Sequence, residues 1–385
     1  MRIELPYGRN PYLLDLGARA ATILEPPPPP PPRAPALDAL LDAALAAPIG
    51  RPRLETLVPV AGRVTVIVSD ATRDEPRGAF LSALQRRLPD VTWTIAIATG
   101  THGPADVAAL GIPPGLLARA TVVNHDGHRD TLVPLGITKR GTQVALPRCV
   151  LDADLVIATG CIRPHYFAGF GAGTKAMFPG LGAAPAIRHN HALKTEPGAR
   201  AGIVDGNPCR EDLEEAARML ATPTFLLDGV CAPDGAIYAA VAGDPIAAFR
   251  AGADLARPWF TVRARRAPLV IASDVWPVTA SLYQAAKIAA AVAELVEPGG
   301  MLVLAAGCED GIGPLEIVNE AIFRIGVLPR LPARARLGLF STLSPAAVAT
   351  TLLEHVESLH AALDGSPGPV TLVPRASQLL CEVYS

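Results

Sequence analysis

The sequence lacks several features that mark whole classes of protein. Its 385 residues carry a formal net charge of −2 at pH 7, so no excess of positive charge indicates a nucleic acid or an anionic membrane as partner. Its apolar runs fall far short of the roughly 20 residues that span a bilayer, and its first ten residues are mixed and polar rather than an export signal. We therefore expect a soluble cytoplasmic protein that binds neither nucleic acid nor membrane.

Cysteine and lysine are also scarce. The six cysteines are scattered without a CxxC pair, which argues against a zinc ribbon or a disulfide framework and predicts reduced thiols. Only four of the 34 basic residues are lysines, so a lysine that this chain retains is a candidate for amine chemistry that a guanidinium cannot perform. Six of the eight histidines lie between His102 and His191, which directs attention to that segment.

The hydrophobic pattern predicts an α/β fold in two domains, because apolar strands alternate with amphipathic helices over a length that exceeds one ordinary core. We expect each domain to be a mainly parallel sheet with flanking helices, with the active site in the cleft between them. The predicted domains are residues 1–264, which bind a cofactor, and residues 265–385, whose last strand or helix could pack back on the first domain. Residues 345–363 are predicted to form one helix. Residues 26–32 are consecutive prolines, a stiff spacer whose role the sequence leaves open.

In open α/β sheets ligands bind beyond the carboxyl ends of the strands, so residues that follow predicted strands are the first candidates. Asp70 and Arg73 follow one strand, where an arginine can hold a carboxylate or phosphate. His102 follows the next strand after a glycine that permits a sharp turn. A helix cap with a surface ion pair, and a structural histidine, are the alternatives at these two positions.

The densest stretch follows a strand that is predicted to end at Thr159. Three glycines in five residues precede Lys175, so backbone amides could approach an anion there. A nucleotide P-loop needs GxxxxGK[ST], and Thr174 here separates the last glycine from the lysine. The pattern indicates a phosphate or cofactor loop of another type, with a purely structural glycine turn as the alternative.

Two further groups are candidates for ligand binding. His189 and His191 would share a face on a strand, but the surrounding alanines favour a helix, so we expect one of them to serve as a metal ligand. Gln284 and Lys287 lie at i and i+3 of a predicted helix and could hold a carboxylate, unless they form a solvated stripe.

Taken together, these motifs resemble those of the nickel-pincer lactate racemase family, which acts on 2-hydroxy acids. The pieces occur in the family's order: D-x-x-R at 70–73, TGxH at 99–102, His165 ten residues before Lys175, GAGTK-x3-PG at 171–180, NH at 190–191 and YQxxK at 283–287.

The resemblance implies a nickel-pincer nucleotide, the nickel complex of pyridinium-3,5-bisthiocarboxylic acid mononucleotide. In that family the lysine that matches Lys175 is joined to the cofactor as a thioamide, and the histidine that matches His191 binds nickel. The implied partners are a small 2-hydroxy acid and the enzymes that make the cofactor. Asp70, Arg73, Gly171, Gly173 and Thr174 are the further cofactor-binding candidates, and Arg73, Tyr283, Gln284 and Lys287 are the substrate-binding candidates.

The activity implied is racemisation or epimerisation, with reversible hydride transfer from the substrate α-carbon to the cofactor. His102 and His165 would act as the two acid/bases, because each enantiomer presents its hydroxyl from a different side. Two other readings stay open at this point: a phosphotransferase that uses the 169–175 loop, and a non-catalytic metal or cofactor carrier.

Overall fold

The computed structural model of the chain describes residues 1–28 and 36–384, so residues 29–32 of the predicted proline spacer lie outside the described residues. The strands are β1 (Arg2–Leu5), β2 (Tyr12–Asp15), β3 (Ala21–Ile23), β4 (Arg63–Ser69), β5 (Thr92–Ala98), β6 (Thr121–Asn124), β7 (Val133–Ile137), β8 (Gln143–Leu146), β9 (Leu155–Ile162), β10 (Pro164–His165), β11 (Gly169–Phe170), β12 (Thr224–Cys231), β13 (Ile237–Gly243), β14 (Thr261–Ala264), β15 (Ala267–Ala272), β16 (Val296–Ala305), β17 (Arg336–Phe340), β18 (Glu354–His355), β19 (Val370–Val373) and β20 (Leu380–Val383). The α-helices are α1 (Leu37–Ala46), α2 (Arg77–Arg87), α3 (Pro114–Leu117), α4 (Arg148–Leu151), α5 (Ala184–Ala192), α6 (Pro208–Arg218), α7 (Ala247–Phe260), α8 (Leu282–Val292), α9 (Pro345–Val348) and α10 (Leu359–Asp364), and Ile317–Val327 forms a π-helix.

The chain forms two compact units. One consists of Pro29–Trp259, and the other joins Met1–Pro28 to Phe260–Ser385. The second boundary lies close to the predicted one at 264/265, but residues 1–28 belong with the C-terminal unit rather than with the predicted N-terminal domain. The reason is a long-range pairing, because β3 adds to the edge of the C-terminal sheet beside β19.

The unit Pro29–Trp259 is built on a six-stranded sheet in the order β13-β12-β9-β4-β5-β6. All neighbours are parallel except β12 and β13, which are antiparallel. The central strands are runs of β-branched and other apolar residues, as expected for strands covered on both faces. Their side chains form the core with α1 and α2.

The strand order of this sheet reverses between β4 and β9, because the chain adds β5 and β6 on one side of β4 and then returns to its other side. Such a switch point opens a crevice at the carboxyl ends of the two strands. Asp70 follows β4 directly and Arg163 follows β9, so the predicted motifs begin at this crevice.

The other unit contains a six-stranded, fully parallel sheet in the order β18-β17-β16-β15-β19-β3. α8 and the π-helix pack on a core of buried aliphatic residues from this sheet. The last strand, β20, pairs with β14 in the same unit. The predicted class, α/β with mainly parallel sheets and flanking helices, is confirmed.

The predicted single helix over residues 345–363 is wrong. α9 ends at Val348, a two-residue strand pairs with β17, and α10 begins at Leu359. The hydroxyls of Thr350 and Thr351 donate to main-chain carbonyls one turn earlier, which competes with continuing the helix. Among the described residues, we find no helix with the length and apolar character needed to cross a membrane.

Candidate active site

Asp70 and His102 form a hydrogen-bonded pair at the carboxyl ends of β4 and β5. Asp70 Oδ2 lies 2.7 Å from His102 Nδ1, and Asp70 Oδ1 accepts from the Thr72 amide at 3.0 Å. Burial alone raises the pKa of Asp70, but the hydrogen bonds from His102 and Thr72 outweigh it and leave the pKa below its ordinary value. The ionised carboxylate therefore holds the Nδ1 proton of His102, and Nε2 is left as the basic nitrogen. His102 is 48% exposed, so this nitrogen is accessible.

Arg77 fixes the turn that carries Asp70 and Arg73. Its guanidinium is buried and donates to the carbonyl oxygens of Ser69 at 2.7 Å and of Arg73 at 2.6 Å, and also to that of Asp70. Because several main-chain oxygens bind one rigid fork, the backbone path of the turn is set by this side chain. The side chain of Arg73 remains exposed.

His165, Lys175 and His191 surround the ring of Phe167. Lys175 Nζ lies 3.1 Å from His165 Nε2 and 5.6 Å from the centre of the Phe167 ring. The rings of His165 and His191 meet the same phenyl edge-on, at centroid distances of 4.6 and 5.1 Å. His165 Nδ1 accepts from the Ala168 amide at 3.3 Å, so in the neutral imidazole the proton lies on Nε2, facing Lys175.

Burial favours the neutral forms of these three bases. It is the main reason that the pKa of Lys175 and the pKa of His165 lie well below their ordinary values. The cations Arg210 and Arg73 lower the pKa of both further. Burial, followed by the charges of Lys175 and Lys194, lowers the pKa of His191 to about 3. The surroundings of the site thus favour a neutral amine at Lys175 and neutral imidazoles at His165 and His191.

The glycines before Lys175 serve the path of the backbone. The Gly171 amide donates to Arg163 O at 2.8 Å, and the Gly173 amide donates to Asp228 Oδ2 at 2.8 Å. Gly173 has φ of +67°, and a Cβ atom there would lie 2.6 Å from the Phe249 ring. Both amides that were expected to face an anion are therefore bound to protein oxygens, which weakens the phosphate-cradle interpretation. Next to Lys175, the buried hydroxyl of Thr174 has no hydrogen-bond partner among the described residues.

The two histidines of α5 point in different directions, because residues two positions apart lie on different faces of a helix. His189 Nε2 lies 2.8 Å from Arg140 O, whereas His191 faces Phe167. Between them, Asn190 is buried and donates to Asp212 Oδ2 of α6 at 2.8 Å, which fixes the rotation of α5.

Tyr283, Gln284 and Lys287 belong to the other unit, at the start of α8. Ser281 caps this helix by accepting from the Gln284 amide, and Lys287 Nζ donates to Gln284 Oε1 at 2.6 Å. The i, i+3 pair therefore shares a helix face, as the spacing predicted, and Tyr283 is exposed. Their assignment to the substrate stays a prediction.

The comparisons with known proteins agree with these motifs. A family model described as the lactate racemase N-terminal domain matches residues 7–202. A lactate racemase of Thermoanaerobacterium thermosaccharolyticum is 30% identical over 81% of this chain and 75% of its own length. A lactate racemase of Lactiplantibacillus plantarum is 31% identical over 71% of this chain and 66% of its own length. This chain belongs to the lactate racemase family.

Solved structures support the fold of this lactate racemase family member. The lactate racemase apoprotein of Thermoanaerobacterium thermosaccharolyticum superposes with a TM-score of 0.82 at 24% identity, covering 99% of this chain and 100% of that one. A Thermotoga maritima protein superposes with a TM-score of 0.66 at 15% identity, covering 91% and 99% of the two chains. The family that the motifs predicted is confirmed.

Several residues of the site were missed by the sequence analysis. Phe167 supplies the ring on which the three bases meet, and Arg77 and Arg210 bind the carbonyls of the two site loops. Asp228 accepts the Gly173 amide. An aromatic residue two positions after a candidate histidine was a usable signal for Phe167. A buried arginine on a helix has no such signal, since it reads as part of the polar face.

Proposed function

We propose that this chain is an isomerase that interconverts the enantiomers or epimers of a small 2-hydroxy acid, with lactate as the first substrate to test. The observation that carries the proposal is the meeting of Lys175, His165 and His191 around one phenyl ring, with Asp70 and His102 at the adjoining strand ends. Lactate racemase relatives at 30% and 31% identity support the choice of reaction.

The residues present fit the nickel-pincer nucleotide that the family resemblance implies. A neutral amine is the form of lysine that acts as a nucleophile, and the burial of Lys175 favours that form. A neutral imidazole offers the lone pair that nickel binds, and the low pKa of His191 keeps it available. The unpartnered Thr174 hydroxyl adds a hydrogen-bonding group beside the lysine. Lys175 and His191 would hold the cofactor, which when bound would supply the acceptor for the substrate's α-hydrogen.

Anionic groups would be held by cations rather than by the loop amides. After burial, the charges of Arg210 and Arg73 lower the pKa of Lys175, and those of Lys175 and Lys194 lower the pKa of His191; Arg73 is the exposed one of the two arginines. A guanidinium binds a carboxylate or phosphate through two parallel hydrogen bonds. We assign Arg73 to the cofactor phosphate or the substrate carboxylate, and Gln284 and Lys287, with Tyr283, to the substrate.

His102 and His165 are proposed as the groups that take and return the proton of the substrate hydroxyl. His102 would use Nε2, because Nδ1 is committed to Asp70. His165 would take the proton on Nε2, which faces Lys175, after its own proton has moved to Nδ1 and the 3.3 Å bond from the Ala168 amide is released, while Phe167 and Lys175 hold the ring in place. Each turnover needs both histidines in either direction, because one histidine serves the enantiomer that enters and the other serves the enantiomer that leaves.

Replacing either histidine by glutamine should lower the rate by about 10²–10⁴, the usual contribution of a positioned proton-transfer group. The loss should be equal from D-lactate and from L-lactate, measured as the chirality of lactate after incubation with protein matured with the cofactor-making enzymes. An unchanged rate in His102→Gln or in His165→Gln would contradict the two-base scheme. Wild-type protein that carries the cofactor but leaves lactate, and other 2-hydroxy acids, optically unchanged would contradict the proposed function itself.

Asp70→Asn should slow the reaction by up to about 10⁴-fold, because an amide cannot accept the Nδ1 proton with the strength of a carboxylate and no longer selects the reactive tautomer. The effect should fall on kcat, since Asp70 contacts His102 rather than the substrate in this proposal. Asp74→Asn, an exposed acid on the same turn, is the matched control and should keep the wild-type kcat. Loss of cofactor with kcat unchanged per loaded chain would instead give Asp70 the cofactor-binding role that its motif suggested.

A further inference from the structure

The first turns of α6 carry polar side chains that reach three neighbouring segments of the site. Asn207, the cap of the helix, donates to Phe167 O at 2.8 Å. Arg210 reaches the chain that leads to Lys175, and Asp212 accepts from Asn190 on the helix of His191. All three side chains are buried, so α6 is the common support of these segments.

The most unusual of these contacts belong to Arg210. Its Nε donates to Ala168 O at 3.2 Å, Nη1 donates to Ala172 O at 3.4 Å, and Nη2 donates to Phe170 O. The guanidinium also lies 4.1 Å from the centre of the Phe249 ring. The backbone turns at Gly169, where φ is +74° and the Phe170 amide donates to Ala168 O, and one planar fork binds the three carbonyl oxygens along this turning stretch.

Stability alone is a poor explanation for such a residue. A fully buried guanidinium loses its hydration, and carbonyl dipoles return only part of that loss. A well-packed apolar side chain often stabilises a core as much as a buried charge does. What a rigid fork adds is geometry, because its donors fix the positions of three oxygens relative to one helix.

The stretch that Arg210 holds runs directly into the residue with the proposed chemistry. Ala172 and Gly173 both have positive φ, at 63° and 67°, and Asp228 accepts the Gly173 amide. Lys175 follows two residues later and reaches His165 Nε2. We infer that Arg210 is a positioning residue, which sets the path of residues 168–172 and so aims Lys175 at His165 and Phe167. The role of Lys175 in this inference rests on the proposed function. The claim that Arg210 sets the backbone path of residues 168–172 does not.

The test uses Arg210→Lys, which keeps the charge and loses the fork, and Arg210→Met, which loses both. Arg218→Lys is the control, on the same helix, at an exposed arginine that pairs with Glu214. Amide hydrogen exchange of the cofactor-free full-length protein is followed by mass spectrometry in residues 168–175, with β4 and β5 as internal references. Protein matured with the cofactor-making enzymes is then weighed intact, to give the fraction of folded chains with an adduct on Lys175.

Exchange in residues 168–175 should rise about tenfold in Arg210→Lys, since an ammonium cannot replace a fork that binds three carbonyls, while exchange in β4 and β5 stays unchanged. The adduct per folded chain should fall with it, and Arg218→Lys should match the wild type in both readouts. An exchange rate of residues 168–175 in Arg210→Lys equal to that of the wild type would overturn the inference. An equal rise in residues 168–175, β4 and β5, with a normal adduct per folded chain, would also overturn it, because it would show a merely structural role. If Arg210→Met does not fold, Arg210→Lys decides alone. A wild type that never acquires an adduct would refute the proposed function, and the exchange data would still decide the role of Arg210.

Discussion

Lys175→Arg should fold like the wild type and show no measurable racemisation of lactate. Arginine keeps much of the length, but its guanidinium stays protonated in proteins and cannot act as an amine nucleophile. The structure favours the neutral amine at this position, since burial and the charges of Arg210 and Arg73 lower the pKa of Lys175. The chemistry lost is therefore specific to the amine.

The measurement pairs intact mass with the chirality of lactate over time. The wild type matured with the cofactor should carry an adduct on Lys175, and Lys175→Arg should carry none. Lys139→Arg is the matched control, because that lysine is exposed on the β7–β8 turn and should keep both adduct and activity. Since a guanidinium beside His165 could itself disturb the site, Lys175→Gln tests the same point without added charge. Substantial racemisation by either Lys175 variant would contradict the covalent role.

The fold was largely accessible from the sequence because its strands are strongly patterned. β4, β5 and β6 are apolar, β-branched runs that end at Ser69, Ala98 and Asn124, where polar and glycine residues begin. The grouping of residues 1–28 with the C-terminal unit was not accessible, because the pairing of β3 with β19 joins segments more than 300 residues apart. No local pattern specifies such a partner.

Part of the candidate site was likewise predictable from the sequence, and part was not. His102 was predicted as a candidate because it follows a strand, and ligands bind at the carboxyl edge of a parallel sheet, whereas Lys175 was predicted from the glycines before it. The packing role of Gly173 was not accessible from the sequence, since the closeness of Phe249 requires a glycine there and its amide is bound to Asp228. Only the three-dimensional structure shows that two buried side chains, the carboxyl group of Asp228 and the guanidinium of Arg210, bind the backbone of the glycine loop.

His191→Ala should lose nickel and activity together, whereas His189→Ala should keep both. The two histidines lie on one helix and differ in what they face: His191 meets the Phe167 ring beside Lys175, and His189 binds Arg140 O. In the proposed site His191 would supply an imidazole nitrogen to nickel, and His189 would supply none. The low pKa of His191 means that a proton does not compete for that nitrogen near neutrality.

Nickel per chain is measured by elemental analysis after maturation with the cofactor-making enzymes, and the adduct on Lys175 is measured on the same sample. His191→Ala should retain most of the adduct, because that bond involves Lys175, and this retention separates loss of a metal ligand from loss of the whole site. His189→Ala serves as the control for any loosening of α5, since it removes the bond to Arg140 O without touching Phe167. Unchanged nickel in His191→Ala, or loss in His189→Ala alone, would mean that the wrong histidine has been chosen. Because Asn190 anchors α5 through Asp212 in either variant, the helix should persist, and the difference between the two variants then reports on the metal alone.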